Sequence, residues 1–283
     1  LSEVATLTVT PLKRASLWLA ALAMVLVIGL KSHGAPAGLP GWHVLGWPVL
    51  VASLVLAWRA GPVNWFRSVV LFAWLIVLLF VTRIDGDTGD AHVLELALSL
   101  GLGVLLVPAL VAKYWLREPL DYSWFSGRWT LRMWLWLPLG FVLAYGFMWL
   151  YFNVLTPTLH HSWPLPAGDE GRTEAMWRLF WGCNFVGVWD ELAFVNFVFV
   201  LTHRHFRFGE SNLAQAVFFT SFLHEMAFVG WGPLVIYGFA LVQGLTYKRT
   251  GSLFYIVILH LMIDTILFYM IVNRWYPGWG WHP

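Results

Sequence analysis

Glu191, His224 and His260 are the residues of this chain best equipped for chemistry, and each interrupts an apolar run long enough to cross a membrane. An ionisable side chain at membrane depth costs several kcal/mol, roughly 3 or more, so it marks a functional site before it marks anything else. One carboxylate and two imidazoles on three separate segments can activate a water molecule. The carboxylate serves as general base, one imidazole shares the proton and holds the water, and the second donates to a developing oxyanion. No intramembrane Ser or Cys lies in a nucleophile motif, although Ser221 is three residues before His224. Water attack is the simpler chemistry, and it makes the protein a hydrolase.

Each of the three has polar company. Asp190 immediately precedes Glu191. Consecutive helical residues differ by about 100°, so the two carboxylates are expected to face different partners. His260 and Asp264 are four residues apart and share one helix face. His224-Glu225 opens like a helical zinc-protease motif, but the fifth position is Phe228, which cannot ligate. His92, Glu95, Asn184 and Gln243 read as structural or interfacial groups, His203-Arg204-His205 as a solvated cytoplasmic turn, and the single Cys183 as an apolar filler.

The elements that must carry these groups are membrane helices. The chain is 59% hydrophobic and only 11% charged, against about 25% charged in an ordinary soluble domain. Only a bilayer keeps such a chain from aggregating, and within it helices satisfy their own backbone groups. The fold expected is all-α, a polytopic transmembrane bundle of eight or nine spans, with apolar runs at 15–30, 43–58, 64–82, 92–112, 131–155, 175–202, 211–230, 232–247 and 251–273. The first run, between Lys13-Arg14 and Ala35-Pro36-Ala37, could be a signal peptide and is read as a retained span. With the N-terminus cytoplasmic, twelve basic residues, from Lys13 and Arg14 to Lys248 and Arg249, fall inside. Five fall outside: Lys31, Arg83, Arg172, Arg178 and Arg274. That bias is the one membrane topology obeys. Acids such as Asp85, Asp87, Asp90, Asp169 and Glu170 lean outward. Counted from the cytoplasmic ends at about 1.5 Å per residue, Glu191, His224 and His260 all lie roughly 16–21 Å deep if the helices are straight. Gly230-Trp231-Gly232-Pro233 reads as a tight turn between two spans.

At these residues the sequence resembles the CAAX-protease and bacteriocin-processing (CPBP, or Abi) family of intramembrane glutamic endopeptidases. The family's Glu-Glu-x-x-x-Arg motif is similar to Asp190-Glu191-Leu192-Ala193-Phe194-Val195. Its Phe-x-x-x-His motif corresponds to Thr220-Ser221-Phe222-Leu223-His224, and its His-x-x-x-Asn/Asp motif to His260-Leu261-Met262-Ile263-Asp264. Gly244 to Ser252 has the family's look before the third motif, and the likeness spans roughly residues 180–270. The resemblance implies a metal-independent peptidase with no cofactor. In it Glu191 and His224 activate the water, His260 and Asp264 stabilise the oxyanion, and Asp190 supports Glu191. Two positions depart from the pattern: Val195 stands in place of the Arg, which Asn196 would partly replace, and Thr220 stands in place of the Phe. An ionised Asp264 cannot donate a hydrogen bond, so orienting His260 suits it better than binding the oxyanion.

Residues 1–170 are then N-terminal transmembrane helices of unassigned role and 171–283 a CPBP-like catalytic helical core, within one membrane domain. The expected partners are membrane lipid and a peptide or protein substrate, such as a C-terminal sorting signal or a prenylated or leader peptide, with no nucleic acid. The expected location is a bacterial or archaeal cell membrane. The rival readings are a non-catalytic scaffold or regulator of the same fold, a proton-coupled transporter, and a zinc enzyme built from Glu191, His224 and His260.

Overall fold

The structure is a computed structural model that describes residues 9–31, 41–83, 89–117, 120, 124, 129–154, 172–226 and 228–275. Ala35-Pro36-Ala37, Asp85, Asp87, Asp169 and Glu170, named above, lie outside the described residues. Among the described residues there are nine helical rods and no regular strand. Five lie before residue 155: α1 (Pro11–Gly29), α2 (Trp42–Arg59), α3 (Val63–Val81), α4 (Asp90–Leu116) and α5 (Leu131–Asn153). Four follow it: α6 (Thr173–His203), α7 (Phe208–Met226), α8 (Gly232–Thr250) and α9 (Leu253–Trp275). The seven helices other than α7 and α8 are long and apolar enough to cross a membrane. The remaining two are 19 residues each and more polar.

Local chemistry sets the ends. Thr10 accepts from the Lys13 amide and Pro11 occupies the first helical position of α1, where a missing N–H costs nothing. The predicted turn between α7 and α8 forms at Gly230, whose φ of 64° is left-handed, and Pro233 starts the next helix. Gly251 closes α8 with φ 62°.

The contacts fix how the rods run. Arg14 meets Glu210 near the starts of α1 and α7, while Gly29 packs on Ser221 near their ends, so these two helices are parallel. Asn212 donates to Leu241 O and Gln215 to Ala240 O, which makes α7 and α8 antiparallel. Arg178 meets Asp90, and eleven residues on Trp189 donates to Leu100 O ten residues further along α4, so α4 and α6 are parallel. Tyr255 donates to Met133 O at the starts of α9 and α5. Every one of these pairs fits odd-numbered helices running one way and even-numbered helices the other. Of the seven apolar helices α6 is the most buried and α5 the least. The α5 face carrying Leu131, Leu135, Val142 and Leu143 is exposed, as expected where lipid replaces water.

The turn after α6 departs from expectation. His203, Arg204 and His205 are half-buried rather than solvated. His203 stacks on Phe199, with ring centroids 5.2 Å apart, and His205 meets Trp65 edge-on at 5.3 Å. The polarity of the triplet suggested water, but aromatic partners from α3 and α6 cover it. Burial, followed by the charges of Lys13 and Arg204, pushes the His205 imidazole down to about 3. The unfolded chain protonates His near about 6.5, so it binds a proton there that the folded state refuses. Stability contributed by His205 is therefore full above pH ~6.5 and is lost as pH falls from there toward 3. Thermal unfolding in detergent is expected to show a Tm that falls between pH 7 and pH 5, and His205→Phe should flatten that slope.

Candidate active site

The α-helical winding of α6 gives way at Glu191 to nine residues of π-helix, Glu191–Phe199, all of them buried. Long π-stretches are rare, and π-bulges are frequent at functional sites. The widened winding lies against α4, α7, α8 and α9. It also changes the direction of the side chains that follow Asp190.

The cluster is built on His260. Its Nδ1 is hydrogen-bonded to Glu191 Oε1 at 2.7 Å. Its Nε2 lies 3.5 Å from Asp264 Oδ1 and 4.0 Å from Asp190 Oδ2. The expectation that Asp190 and Glu191 could not address one partner is therefore corrected. An imidazole has two opposed nitrogens, and the change of winding at Glu191 lets adjacent carboxylates approach opposite sides of one ring. All four residues are buried. Three carboxyl groups around one imidazole cannot all carry charge away from water, so the cluster must share protons among its members.

Gln243 on α8 donates from Nε2 to Glu191 Oε1. It therefore belongs to this cluster, a contact that sequence alone could not reveal because Gln243 sits in none of the three motifs. Gly187, one turn before Glu191, is a second residue that the sequence reading passed over. A Cβ there would strike Asp264 Oδ2 and come within 3.2 Å of His260 Cδ2. Only a glycine lets α9 bring the His260–Asp264 pair this close to α6.

The other expected site residues are placed differently. Asn196 is fully buried, and neither of its amide atoms has a protein hydrogen-bond partner, Glu191 included. Val195, at the position of the motif Arg, packs in an apolar group with Leu192, Phe199, Tyr247, Leu253 and Ile256. A cation there would be buried among hydrocarbons, and Gln243 supplies a neutral donor to Glu191 from another helix instead. His224 lies on α7 with its Nδ1 2.7 Å from Gly29 O of α1. The ring of His260 meets Phe219 at 6.1 Å, and Phe219 is five residues before His224. That interval is about 7.5 Å of helix. Glu191 and His260 thus share one level, with His224 set further along α7. Phe219 and Phe239 pack against the His260 ring, and Trp189, Phe194 and Phe222 form an adjoining aromatic wall.

Glu191 Oε2, Asp190 Oδ1 and Asp264 Oδ2 are buried with no protein hydrogen-bond partner. Each is an acceptor in an otherwise dry interior, and such atoms are rare unless they serve chemistry or bind something small and polar.

Residues 172–266 match the family model described as Type II CAAX prenyl endopeptidase Rce1-like. That model describes a CPBP-type family, and this region of the chain is similar to it. The match covers α6 to α8 and most of α9, and so contains Asp190, Glu191, His224, Gln243, His260 and Asp264. The likeness is to a protease family, and the chain that carries it has seven helices long and apolar enough to cross a membrane among the described residues. No curated protein and no solved structure matches the chain.

The geometry makes two substitutions informative. Gly187→Ala should force α6 and α9 apart and lower stability by about 1–3 kcal/mol, the usual cost of overpacking. Gln243→Met, which keeps the length but removes the donor, should cost about 1–3 kcal/mol because a buried carboxylate loses a partner. Thermal unfolding of both variants in one detergent measures this directly.

Proposed function

We propose that this protein is a glutamic-type, metal-independent intramembrane endopeptidase, with Glu191 as general base. The observation that carries the reading is the state of the Glu191 carboxylate. Oε1 is held by His260 and Gln243, while Oε2 is buried and without a protein partner. One oxygen is fixed and the other is turned toward whatever reacts. The family of the matched region supplies the reaction class.

In the proposed cycle a water molecule gives a proton to Glu191 Oε2 as its oxygen adds to the peptide carbonyl. The carbonyl π electrons move to oxygen, and the Nε2–H of a doubly protonated His260, which no carboxylate holds closer than 3.5 Å, stabilises that oxyanion. Asp264, four residues on and 3.5 Å from Nε2, orients the ring. When the tetrahedral species collapses, the C–N bond breaks and the proton on Glu191 passes to the leaving amine. His224 holds the attacking water. The opposed nitrogens of His260 face separate carboxylates rather than one common point, which supports a proton-transfer site over a metal-ligand set.

The substrate class is a membrane-associated peptide, such as a C-terminal sorting segment or a prenylated or leader peptide. Helices α6 to α9 act as the catalytic core, with the N-terminus on the cytoplasmic side. Glu191→Gln should lower the cleavage rate about 10³-fold or more while the protein still folds, because the general base is lost. Fluorogenic peptides carrying an apolar or prenylated C-terminal segment, added to the protein in lipid nanodiscs, provide the assay. Cleavage retained in Glu191→Gln would overturn the assignment. A rate abolished by 1,10-phenanthroline and restored by zinc would replace it with a metal mechanism.

A further inference from the structure

Helix α1 lies outside the family match, yet it reaches the motif histidine. It runs parallel to α7 for its whole length. At its start Arg14 Nε pairs with Glu210 Oε1 at 2.5 Å. At its end the buried Gly29 packs so closely that a Cβ would lie 3.2 Å from Ser221 Cβ and 3.3 Å from Ser221 Cα. Beyond the helix, Lys31 Nζ donates to Phe80 O at 2.8 Å, in the last turn of α3, and to Thr82 O at 3.2 Å, just past its end. Lys31 also lies in the field of Glu225, the sequence neighbour of His224. The end of α1 is therefore held on two sides, against α3 and against α7.

The final five residues of α1, Val25–Gly29, are wound as a π-turn. The Gly29 carbonyl is 2.7 Å from His224 Nδ1. A carbonyl can only accept, so this bond requires the proton on Nδ1. In a neutral ring the lone pair then belongs to Nε2. A backbone carbonyl that fixes a histidine tautomer in this way is a common device of metal and acid–base sites.

We infer that α1 is a working part of the active site, its Gly29 carbonyl fixing His224 in the tautomer protonated at Nδ1 so that the Nε2 lone pair can accept a hydrogen bond from the water that Glu191 deprotonates. Gly29 is a positioning residue: it acts through His224 and touches no reacting atom. The absence of a side chain favours this approach of the carbonyl to the ring, because a Cβ 3.2 Å from Ser221 Cβ and 3.3 Å from its Cα would make the two helices shift slightly apart. The N-terminal helices then have a definite task, supplying a polar backbone group to the motif histidine of the matched region. The catalytic value of this contact rests on the proteolytic reading above, whereas the tautomer does not.

The test is ¹⁵N NMR of histidine side chains in lipid nanodiscs, with the His224 signals assigned by their loss in His224→Gln. The wild-type protein should show His224 neutral and protonated at Nδ1. Gly29→Ala should shift the ring toward the other tautomer and lower kcat on the order of tenfold, with KM changed by less than about twofold, as expected when a group is misplaced rather than lost. Ser221→Gly in the Gly29→Ala background should return both readouts part-way. A His224 protonated at Nε2 in the wild-type protein overturns the inference without recourse to any variant. So does a Gly29→Ala protein with unchanged tautomer and unchanged kcat. Should the wild-type protein cleave no substrate, the proteolytic reading falls, and the wild-type and Gly29→Ala spectra alone decide the contact.

Discussion

A polar group buried at membrane depth must find its partner inside the protein, and most of this structure follows from that constraint. The hydrogen bond between Glu191 and His260 joins α6 to α9 at a level where water is scarce. Gln243 brings α8 to the same carboxylate. In lipid the helices gain little from apolar contact alone, since hydrocarbon surrounds them in either case. Close packing and polar ties of this kind therefore hold the bundle, and here the same ties assemble the candidate site.

Two backbone features make the cluster possible. The π-stretch from Glu191 to Phe199 redirects consecutive carboxylates so that both address one ring. Gly187 lets the His260–Asp264 edge approach α6 without a clash. A similar economy recurs between α7 and α8. There a Cβ at Gly244 would strike Asn212, whose side chain accepts from Gln215, and both amides reach carbonyls of α8. Small residues set the spacing and amides satisfy the backbone, because lipid offers neither room nor hydrogen bonds.

The departure at Val195 has a simple physical reading. Its neighbours are Leu192, Phe199, Tyr247, Leu253 and Ile256, an apolar group with no place for a guanidinium. The donor that Glu191 needs comes from Gln243, a neutral side chain whose burial costs far less than that of a cation. The site thus keeps a donor to its carboxylate while carrying one fewer buried charge.

The sequence by itself determined the helical membrane fold, the rods other than the long π-stretches, and the chemically capable residues. Apolar run length and the cost of buried charge act locally, so both are legible in one dimension. The pairing of His260 with Asp264 was readable for the same reason, since four residues make one helical turn. Tertiary structure alone decided that Asp190 and Glu191 share His260, that Gln243 and Gly187 lie against this polar cluster, that His205 is covered by Trp65, and that His224 reaches Gly29. Each depends on a change of helical winding or on a contact between segments tens to nearly two hundred residues apart. Such contacts are set by how helices pack against one another, and no local pattern records them.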